Sequence, residues 1–307
     1  MKKYSLFILT AAMCCRMSGI AQPKTGSDKA GYVIPFELTA FNNISVSAVL
    51  NGRDTVHIMF HTAENSVTLT EDADMKLKTI HFNGEVDSVK SWGGQDNTSR
   101  FSEHNVLQIG GMEWPDITVW EDKNSGKTLD GKFGPNLFKN KVVEIDFDKK
   151  IITISDSLPD NIKKYEKMKL IFQKGDMYIA GNCVTSTNTY NNKFLVHSGY
   201  SGALLLDDDF VNNNKLSDQL ETIGEKDLKD SYGNIVKTKK TILPEFRLGD
   251  VALRDVPAGF FEGAIGRQKK SIIGMDILKR FNIIFDAQRD YIYLKPNTLK
   301  DLGYANI

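Results

Sequence analysis

Cysteine is scarce in this chain, and its scarcity limits how the fold can be stabilised. The 307 residues contain three cysteines, of which Cys14 and Cys15 lie in an N-terminal segment typical of an export signal. Beyond that segment the sequence has Cys183 alone, so no disulfide can form within the exported chain. We interpret Cys183 as a buried thiol in a strand, because no histidine is near it in sequence. The fold must therefore depend on its apolar core.

The N-terminal segment has a basic start, an apolar centre and a small-residue cleavage site. This pattern predicts a signal peptide at residues 1–21 and export to the periplasm or the extracellular space. The polar residues 22–31 that follow are predicted to be disordered. Cys14 leaves a lipid anchor open as an alternative, although the large Met13 fits that processing site poorly.

The sequence has neither an excess of one charge nor, beyond its start, a long apolar run. Basic and acidic residues number 39 each, and loss of Lys2, Lys3 and Arg16 with the signal peptide leaves a net charge of −3. No dense run of Lys or Arg is present, which argues against nucleic acid as a partner. We expect a monomer that does not span a membrane.

Helical periodicity is scarce as well. Most of the chain consists of short runs rich in β-branched and aromatic residues, separated by turn signals such as Asn51-Gly52. Short helices are predicted near residues 136–139, 216–220 and 276–280, and Met75–Ile80 is predicted to be a strand. Regularly spaced short strands with few helices favour an all-β barrel or sandwich.

The chain repeats itself after 140 residues. Gly134 and Asp146 of the first copy correspond to Gly274 and Asp286 of the second. Upstream of each glycine, an apolar strand runs into a histidine, a small hydroxyl residue and a small residue. These two triplets are His61-Thr62-Ala63 and His197-Ser198-Gly199. A period of this length indicates duplication of one barrel-like lobe, with a cleft between two pseudo-symmetric halves.

The duplication divides the exported chain into two lobes. Residues 158–168 are polar, contain Pro159 and are predicted to be the linker. The first lobe is therefore predicted at residues 32–157 and the second at residues 169–299. Residues 300–307 form a short tail.

The triplets and the later glycines resemble the psi-shaped motif of two-lobed aspartic peptidases, of the pepsin-like and retropepsin-like kind, over about residues 32–297. The resemblance implies an all-β fold of two barrel-like lobes around a central cleft. It implies that Gly134 and Gly274 allow another backbone segment to approach closely. It also implies that the hydroxyls of Thr62 and Ser198 brace the two lobes together.

The residue that this family needs for catalysis is absent from both triplets. Members carry Asp-Thr-Gly or Asp-Ser-Gly, whereas His61 and His197 stand at the aspartate positions here and Ala63 replaces a glycine. The family mechanism uses two carboxylates about 3 Å apart that share one proton, so that one activates water while the other protonates the scissile carbonyl. Two imidazoles do not reproduce this pair. We therefore expect no peptidase activity by the family mechanism.

Paired histidines are compatible with three functions. We expect a pseudoenzyme whose cleft binds a peptide or protein segment without cutting it. An alternative is a hydrolase with a His-based or metal-assisted mechanism. A zinc site at His61 and His197 would need a third ligand, from Glu64, His57 or the flap, and no other cofactor is expected. The third possibility is a protein that interacts through its outer surface, with a cleft blocked by side chains.

Two further features bear on the cleft. Trp92, Gly93 and Gly94 fall where the family places the flap that covers its substrate, and we predict the flap there. The alternative is an exposed turn with a half-packed Trp92. Asp146 and Asp286 match across the repeat, but each precedes a hairpin turn, where Asp commonly bonds its own backbone. We reject them as a catalytic pair.

Overall fold

The computed structural model describes residues 31–90, 96–233, 235–260 and 269–305. The predicted signal peptide, residues 22–30 of the predicted disordered segment, and the predicted flap residues Trp92, Gly93 and Gly94 lie outside these ranges. Strands dominate the described chain and its helices are short. None of the described helices is long and apolar enough to cross a lipid bilayer.

The first half of the chain contains strands β1 to β11 and helix α1. The strands are β1 (Tyr32–Pro35), β2 (Glu37–Leu38), β3 (Ile44–Leu50), β4 (Asp54–Phe60), β5 (Val67–Thr70), β6 (Gly84–Lys90), β7 (Asp96–Ile109), β8 (Met112–Asp122), β9 (Gly131–Phe133), β10 (Val142–Asp146) and β11 (Ile151–Ser155). Helix α1 (Glu71–Asp74) follows β5, and Pro135–Phe138 form a 3-10 helix.

The second half repeats this plan. Its strands are β12 (Glu166–Lys169), β13 (Ile171–Gln173), β14 (Asp176–Val184), β15 (Thr189–Val196), β16 (Leu204–Leu205), β17 (Thr222–Lys229), β18 (Ile235–Leu248), β19 (Val251–Phe260), β20 (Ser271–Ile273), β21 (Phe281–Phe285) and β22 (Tyr291–Pro296). Its helices are α2 (Asp208–Asn213), α3 (Leu216–Gln219) and α4 (Met275–Leu278), and a 3-10 helix at Asp160–Lys164 lies in the predicted linker.

In each lobe six of the described strands close into a ring. The order in the first lobe is β3-β4-β9-β5-β8-β7, with β7 paired back to β3. The order in the second lobe is β14-β15-β20-β16-β19-β18, with β18 paired back to β14. The two orders correspond strand for strand. The prediction of an all-β fold with two pseudo-symmetric barrel-like lobes is confirmed.

Alternating side chains fill each ring with an apolar core. In β3, for example, Val46, Ala48 and Leu50 are buried on one face. Trp114 of β8 is fully buried, and its indole N–H donates to the carbonyl oxygen of Leu137 at 3.0 Å. Burial of this apolar surface, rather than a disulfide, stabilises the lobes.

A third sheet joins the lobes. Among the described residues its order is β1-β11-β10-β21-β22-β12, so each half of the chain contributes three strands. β10 and β21 pair antiparallel at its centre, with Val143 opposite Phe285. This pairing places a pseudo-twofold axis between the lobes. The loops that follow β4 and β15 therefore meet.

The prediction of a strand at Met75–Ile80 is wrong. The chain forms α1 just before this segment and then turns. The side chain of Thr70 caps α1 by accepting a hydrogen bond from the backbone N–H of Ala73 at 3.2 Å. The acidic residues in the first turn, Glu71 and Asp72, also favour a helix start here.

Candidate functional site

The two histidine loops begin in the same way in both lobes. β4 pairs in parallel with β9, and β15 pairs in parallel with β20. The backbone N–H of His61 donates to the carbonyl oxygen of Phe133 at 2.9 Å. The N–H of His197 donates to Ile273 at 3.0 Å. Each loop is thereby tied to the strand that ends in the repeat glycine.

Those glycines lie where another backbone segment passes closely. A Cβ atom at Gly134 would collide with the carbonyl oxygen of Glu64, and one at Gly274 would collide with that of Gly202. The φ angles of −110° and −97° are open to any residue. Lack of space, rather than backbone conformation, therefore requires glycine at both positions.

Thr62 and Ser198 join the two loops by reciprocal hydrogen bonds. The Thr62 hydroxyl donates to the carbonyl oxygen of Val196 at 2.6 Å and accepts from the N–H of Ser198 at 2.9 Å. The Ser198 hydroxyl donates to Phe60 at 2.7 Å and accepts from the N–H of Thr62 at 2.9 Å. Both side chains are buried, and each hydroxyl is used as donor and acceptor. We call this arrangement the brace.

The brace brings two imidazole rings together. The ring centroids of His61 and His197 are 4.5 Å apart, and the ring planes are inclined by 62°. Nδ1 of His61 accepts from the N–H of Ala63 at 3.1 Å, so the neutral ring carries its proton on Nε2. Nδ1 of His197 is buried without a hydrogen-bond partner among the described residues. A Cβ atom at Gly199 would collide with the His61 ring, which explains glycine there.

Burial keeps both rings neutral at physiological pH. It lowers the pKa of His61 well below the usual value, and electrostatic repulsion between the protonated ring and both His197 and Lys132 lowers it further. Burial likewise lowers the pKa of His197 to about 4. A base with so low a pKa accepts protons poorly at neutral pH. The pair also lacks the negative charge that a pair of carboxylates sharing a proton would have.

A buried ion-pair network in the first lobe lies close to the histidines. Nζ of Lys132 is 2.7 Å from Oδ2 of Asp122 and 3.6 Å from Oε2 of Glu64, and the lysine side chain is 4% exposed. Glu64 also accepts from the hydroxyl of Ser66 at 2.7 Å, and Asp122 accepts from Thr68 at 2.9 Å. Burial lowers the pKa of Lys132, but the two carboxylates outweigh it and raise the pKa above its usual value. Lys132 is therefore a cation in this network.

Lys132 and Asp122 are not among the site residues predicted from sequence. A signal for Lys132 was present in the repeat, because the equivalent residue of the second copy is Ile272. A lysine within a strand that is buried at every position requires buried anionic partners. Which carboxylates supply them depends on the pairing of β5, β8 and β9, which the local sequence does not specify.

The geometry gives little support to a zinc site at the histidine pair. The described residues contain no group of three or more His, Cys, Asp or Glu that could hold a metal ion. Of the third ligands proposed from sequence, Glu64 is engaged by Ser66 and Lys132, and His57 is exposed on β4. Nδ1 of His61 is also occupied by a backbone N–H.

A hairpin of the second lobe, formed by β17 and β18, reaches across to the first lobe. At its tip, the carbonyl oxygen of Ser231 accepts from the N–H of Lys123 at 2.8 Å. The carbonyl oxygen of Asp230 accepts from the side chain of Asn124 at 3.1 Å. The Ser231 hydroxyl accepts from Nζ of Lys132 at 2.7 Å. The β17–β18 hairpin therefore connects the lobes directly at the buried network.

The same hairpin packs onto the second lobe with apolar side chains. Leu228 and Val236 lie opposite each other in the ladder. Together they belong to one buried cluster with Tyr178, Leu195, Leu205 and Ile272. Ala63, from the His61 loop, packs against this cluster. The β17–β18 hairpin thus packs against the histidine loops. On one side it contacts the ion-pair network of Lys132 in the first lobe, which we call the polar wall. On the other side it contacts the apolar cluster of the second lobe, which we call the apolar wall.

The other matched carboxylates stabilise turns. Asp146 accepts from the N–H of Lys149 at 3.0 Å, and Asp286 accepts from that of Asp290 at 2.8 Å. Both are bonds to the backbone of the hairpin turn that follows. This geometry agrees with their rejection as a catalytic pair.

Comparison with known proteins gives no family for this chain. A scan against descriptions of protein families finds no match, and a search of curated proteins finds none either. Any functional assignment therefore depends on the geometry of the site itself.

Proposed function

We propose that this chain is an exported, non-catalytic relative of the two-lobed aspartic peptidases that binds a peptide or protein segment between its lobes. The observation that carries the proposal is an intact brace beneath a neutral histidine pair. Thr62 and Ser198 hold the two loops together, while His61 and His197 stand where the reactive carboxylates would be. The proposal that the chain is exported depends on the signal peptide predicted at residues 1–21.

The chemistry of the histidine pair argues against hydrolysis by the family mechanism. Each carboxylate of an aspartic dyad has two oxygens, and the pair shares one proton. In His61 one ring nitrogen is already used by the backbone of Ala63, and the low pKa of His197 makes it a weak base. At neutral pH the pair therefore has no good proton acceptor for an attacking water.

The β17–β18 hairpin supports a role in binding. Leu228 and Val236 cover an apolar wall that includes Leu195 and Ile272. A bound segment would displace these side chains and place its own apolar groups on the wall, while its backbone pairs with a strand edge. The hairpin then covers the binding surface in the free protein, and the bound segment displaces it.

The test is a combined retention and cleavage assay. Purified protein is incubated with a diverse peptide library from pH 4 to pH 8, and the retained and released fractions are analysed by mass spectrometry. We expect a recurrent subset of peptides to be retained and none to be cut. Cleavage that disappears in His61→Ala would overturn the non-catalytic assignment, and sensitivity to a chelator would indicate a metal-assisted reaction.

A matched pair of variants connects retention to the cleft. Leu228→Ala with Val236→Ala loosens the cover, so retention should increase if the hairpin competes with the segment. Ile223→Ala changes a 57% exposed residue of the same hairpin and should have no effect. Absence of retained peptides from folded protein would overturn peptide binding and favour interaction through the outer surface.

A further inference from the structure

Two lysines on the outward face of the β17–β18 hairpin lie opposite carboxylates. Lys237 lies opposite Asp227, and Lys239 lies opposite Glu225 in the antiparallel ladder. Opposite charges facing each other across strands stabilise a sheet. These two lysines therefore have anionic neighbours within the hairpin itself.

The inward face of the hairpin is different. Lys226 lies opposite Thr238, and Lys240 lies opposite Gly224, so neither lysine faces a carboxylate. Alternation along β17 places Lys226 on the same face as the buried Leu228, and Lys226 is itself half-buried. Within the described part of the chain, Lys226 and Lys240 form no ion pair.

The first lobe adds a third cation. Lys127 lies in the loop between β8 and β9, the loop that also binds the hairpin tip. Its Nζ is 4.6 Å from the ring centroid of Phe41, a contact that fixes the ammonium group but leaves it charged. Burial lowers the pKa of Lys226, and the charges of Lys240 and Lys127 lower it further. Lys226 is therefore close enough to interact with Lys240, its diagonal neighbour in the ladder, and with Lys127 of the first lobe.

Converging cations without a carboxylate repel one another and create a local field that favours an anion. We propose that Lys127, Lys226 and Lys240 form a carboxylate-binding subsite between the lobes, which selects acidic segments for the cleft. This inference rests on the proposed function, since it names the chemistry of the segment that the cleft binds. Lys237 and Lys239 of the outward face lie opposite carboxylates in the ladder, whereas Lys226 and Lys240 of the inward face do not.

Two labelled octapeptides test the subsite. Both peptides are acetylated at the N-terminus and amidated at the C-terminus, and six of their eight residues are leucines and alanines. The remaining two residues are glutamates in one peptide and glutamines in the other. Binding is measured by fluorescence anisotropy at low and high salt. We expect the glutamate peptide to bind roughly tenfold more tightly at low salt, with a smaller difference at high salt. Equal affinities for the two peptides would overturn the inference.

Matched double variants identify the lysines involved. Lys226→Gln with Lys240→Gln removes two charges from the inward face, and Lys229→Gln with Lys237→Gln removes two from the outward face. We expect the inward variant to lose the tenfold preference and the outward variant to keep it. An equal loss in both variants would mean that overall charge is responsible and would contradict the subsite. Thermal unfolding establishes that both variants are folded.

Two further ligands distinguish failure of the carboxylate subsite from failure of peptide binding. They are inorganic phosphate and the glutamine peptide with a free C-terminal carboxylate. Tight binding of the free-acid peptide that depends on the inward lysines supports the subsite and identifies a terminal carboxylate as sufficient. If neither octapeptide binds, but phosphate stabilises the native protein and not the inward variant, the anion site stands and peptide binding fails. If both octapeptides bind equally and phosphate has no effect, peptide binding stands and the subsite fails.

Discussion

Lys132 and Ile272 occupy equivalent positions in the two lobes but differ in chemistry. Lys132 of β9 lies opposite Thr68 and forms an ion pair with Asp122. Ile272 of β20 lies opposite Leu205 and packs in an apolar cluster. The barrel requires only that this position be filled, and either a compensated cation or an apolar side chain can fill it. The two lobes thus have the same strand order, while the side chains at this position differ in chemistry.

The brace shows the opposite behaviour. Thr62 and Ser198 differ in identity, yet each hydroxyl makes the same two bonds to the other loop. Equivalence persists here because each residue completes the bonding of the other, so that neither can change alone. Thr62 and Ser198 correspond because each completes the hydrogen bonding of the other. Lys132 and Ile272 make no such reciprocal contact, and their chemistry differs.

The largest loss of stability is expected when Lys132 is replaced by isoleucine, the residue at the equivalent position of the second lobe. Lys132→Ile leaves the buried Asp122 and the partly buried Glu64 without their cation, so we expect the free energy of unfolding to fall by about 3–5 kcal/mol. Urea denaturation measures this loss. The control, Ile272→Val, should cost only about 1 kcal/mol. A loss below that of the control would mean that the network contributes nothing. Asp122→Asn in the Lys132→Ile background should recover part of the loss.

The brace should respond symmetrically. Thr62→Val and Ser198→Ala each leave a buried N–H and a carbonyl oxygen without a partner, so each should lower the free energy of unfolding by about 2–3 kcal/mol. Because both residues share one network, the double variant should lose less than the two losses added. Equilibrium denaturation of the three variants checks this expectation. Clearly unequal single losses would show that one lobe dominates the brace.

Stability should fall as the pH falls below 7. Burial lowers the pKa of His61 and gives His197 a pKa of about 4, whereas both titrate near pH 6.5 when unfolded. Between about pH 6.5 and pH 4 the unfolded chain therefore binds more protons, which favours unfolding. We expect a loss of about 1–2 kcal/mol for each histidine between pH 7 and pH 5.

The double variant His61→Asn with His197→Asn isolates this effect from other titrating groups. Urea denaturation at a series of pH values should give a shallower dependence for the variant than for the native chain. Parallel curves would show that the imidazoles are not kept neutral by burial.

The smallest effect should come from the hairpin tip. Ser231→Ala removes the hydroxyl that accepts from Lys132 but leaves the backbone contact to Lys123, so the global loss should be about 1 kcal/mol or less. The N–H of Lys123 should nevertheless exchange with solvent roughly fivefold faster. The control is Ser66→Ala, which affects the same network through Glu64 and should leave that exchange unchanged. An unchanged rate in Ser231→Ala would mean that the hydroxyl does not hold the tip.

The repeat explains how much of this structure could be predicted. Gly134 and Gly274 recur because backbones approach there, and the hydroxyl positions recur because they bond across the pseudo-twofold axis. Residues under such constraints keep a fixed spacing that a sequence displays directly. The fold class followed from that spacing, whereas the contact between the rings of His61 and His197 is seen only in the structure.

Features that belong to one copy alone could not be predicted in this way. The partners of Lys132 come from β8 and from the His61 loop, and Ser231 comes from the other lobe. The hairpin tip contains Asp, Ser, Tyr and Gly, a composition typical of any turn, so nothing in it indicates contact with the first lobe. Long-range pairing decides these contacts.

The central sheet has a consequence for the two halves of the chain. Each half supplies one side of the pairing between β10 and β21, so either half alone would leave β10 or β21 with an unsatisfied strand edge. The natural occupant of that edge is a second copy of the same half. The two halves of the chain are thus arranged like the two protomers of a homodimer. Because one chain supplies both halves, equivalent positions need not be identical, and Lys132 can stand in one half where Ile272 stands in the other.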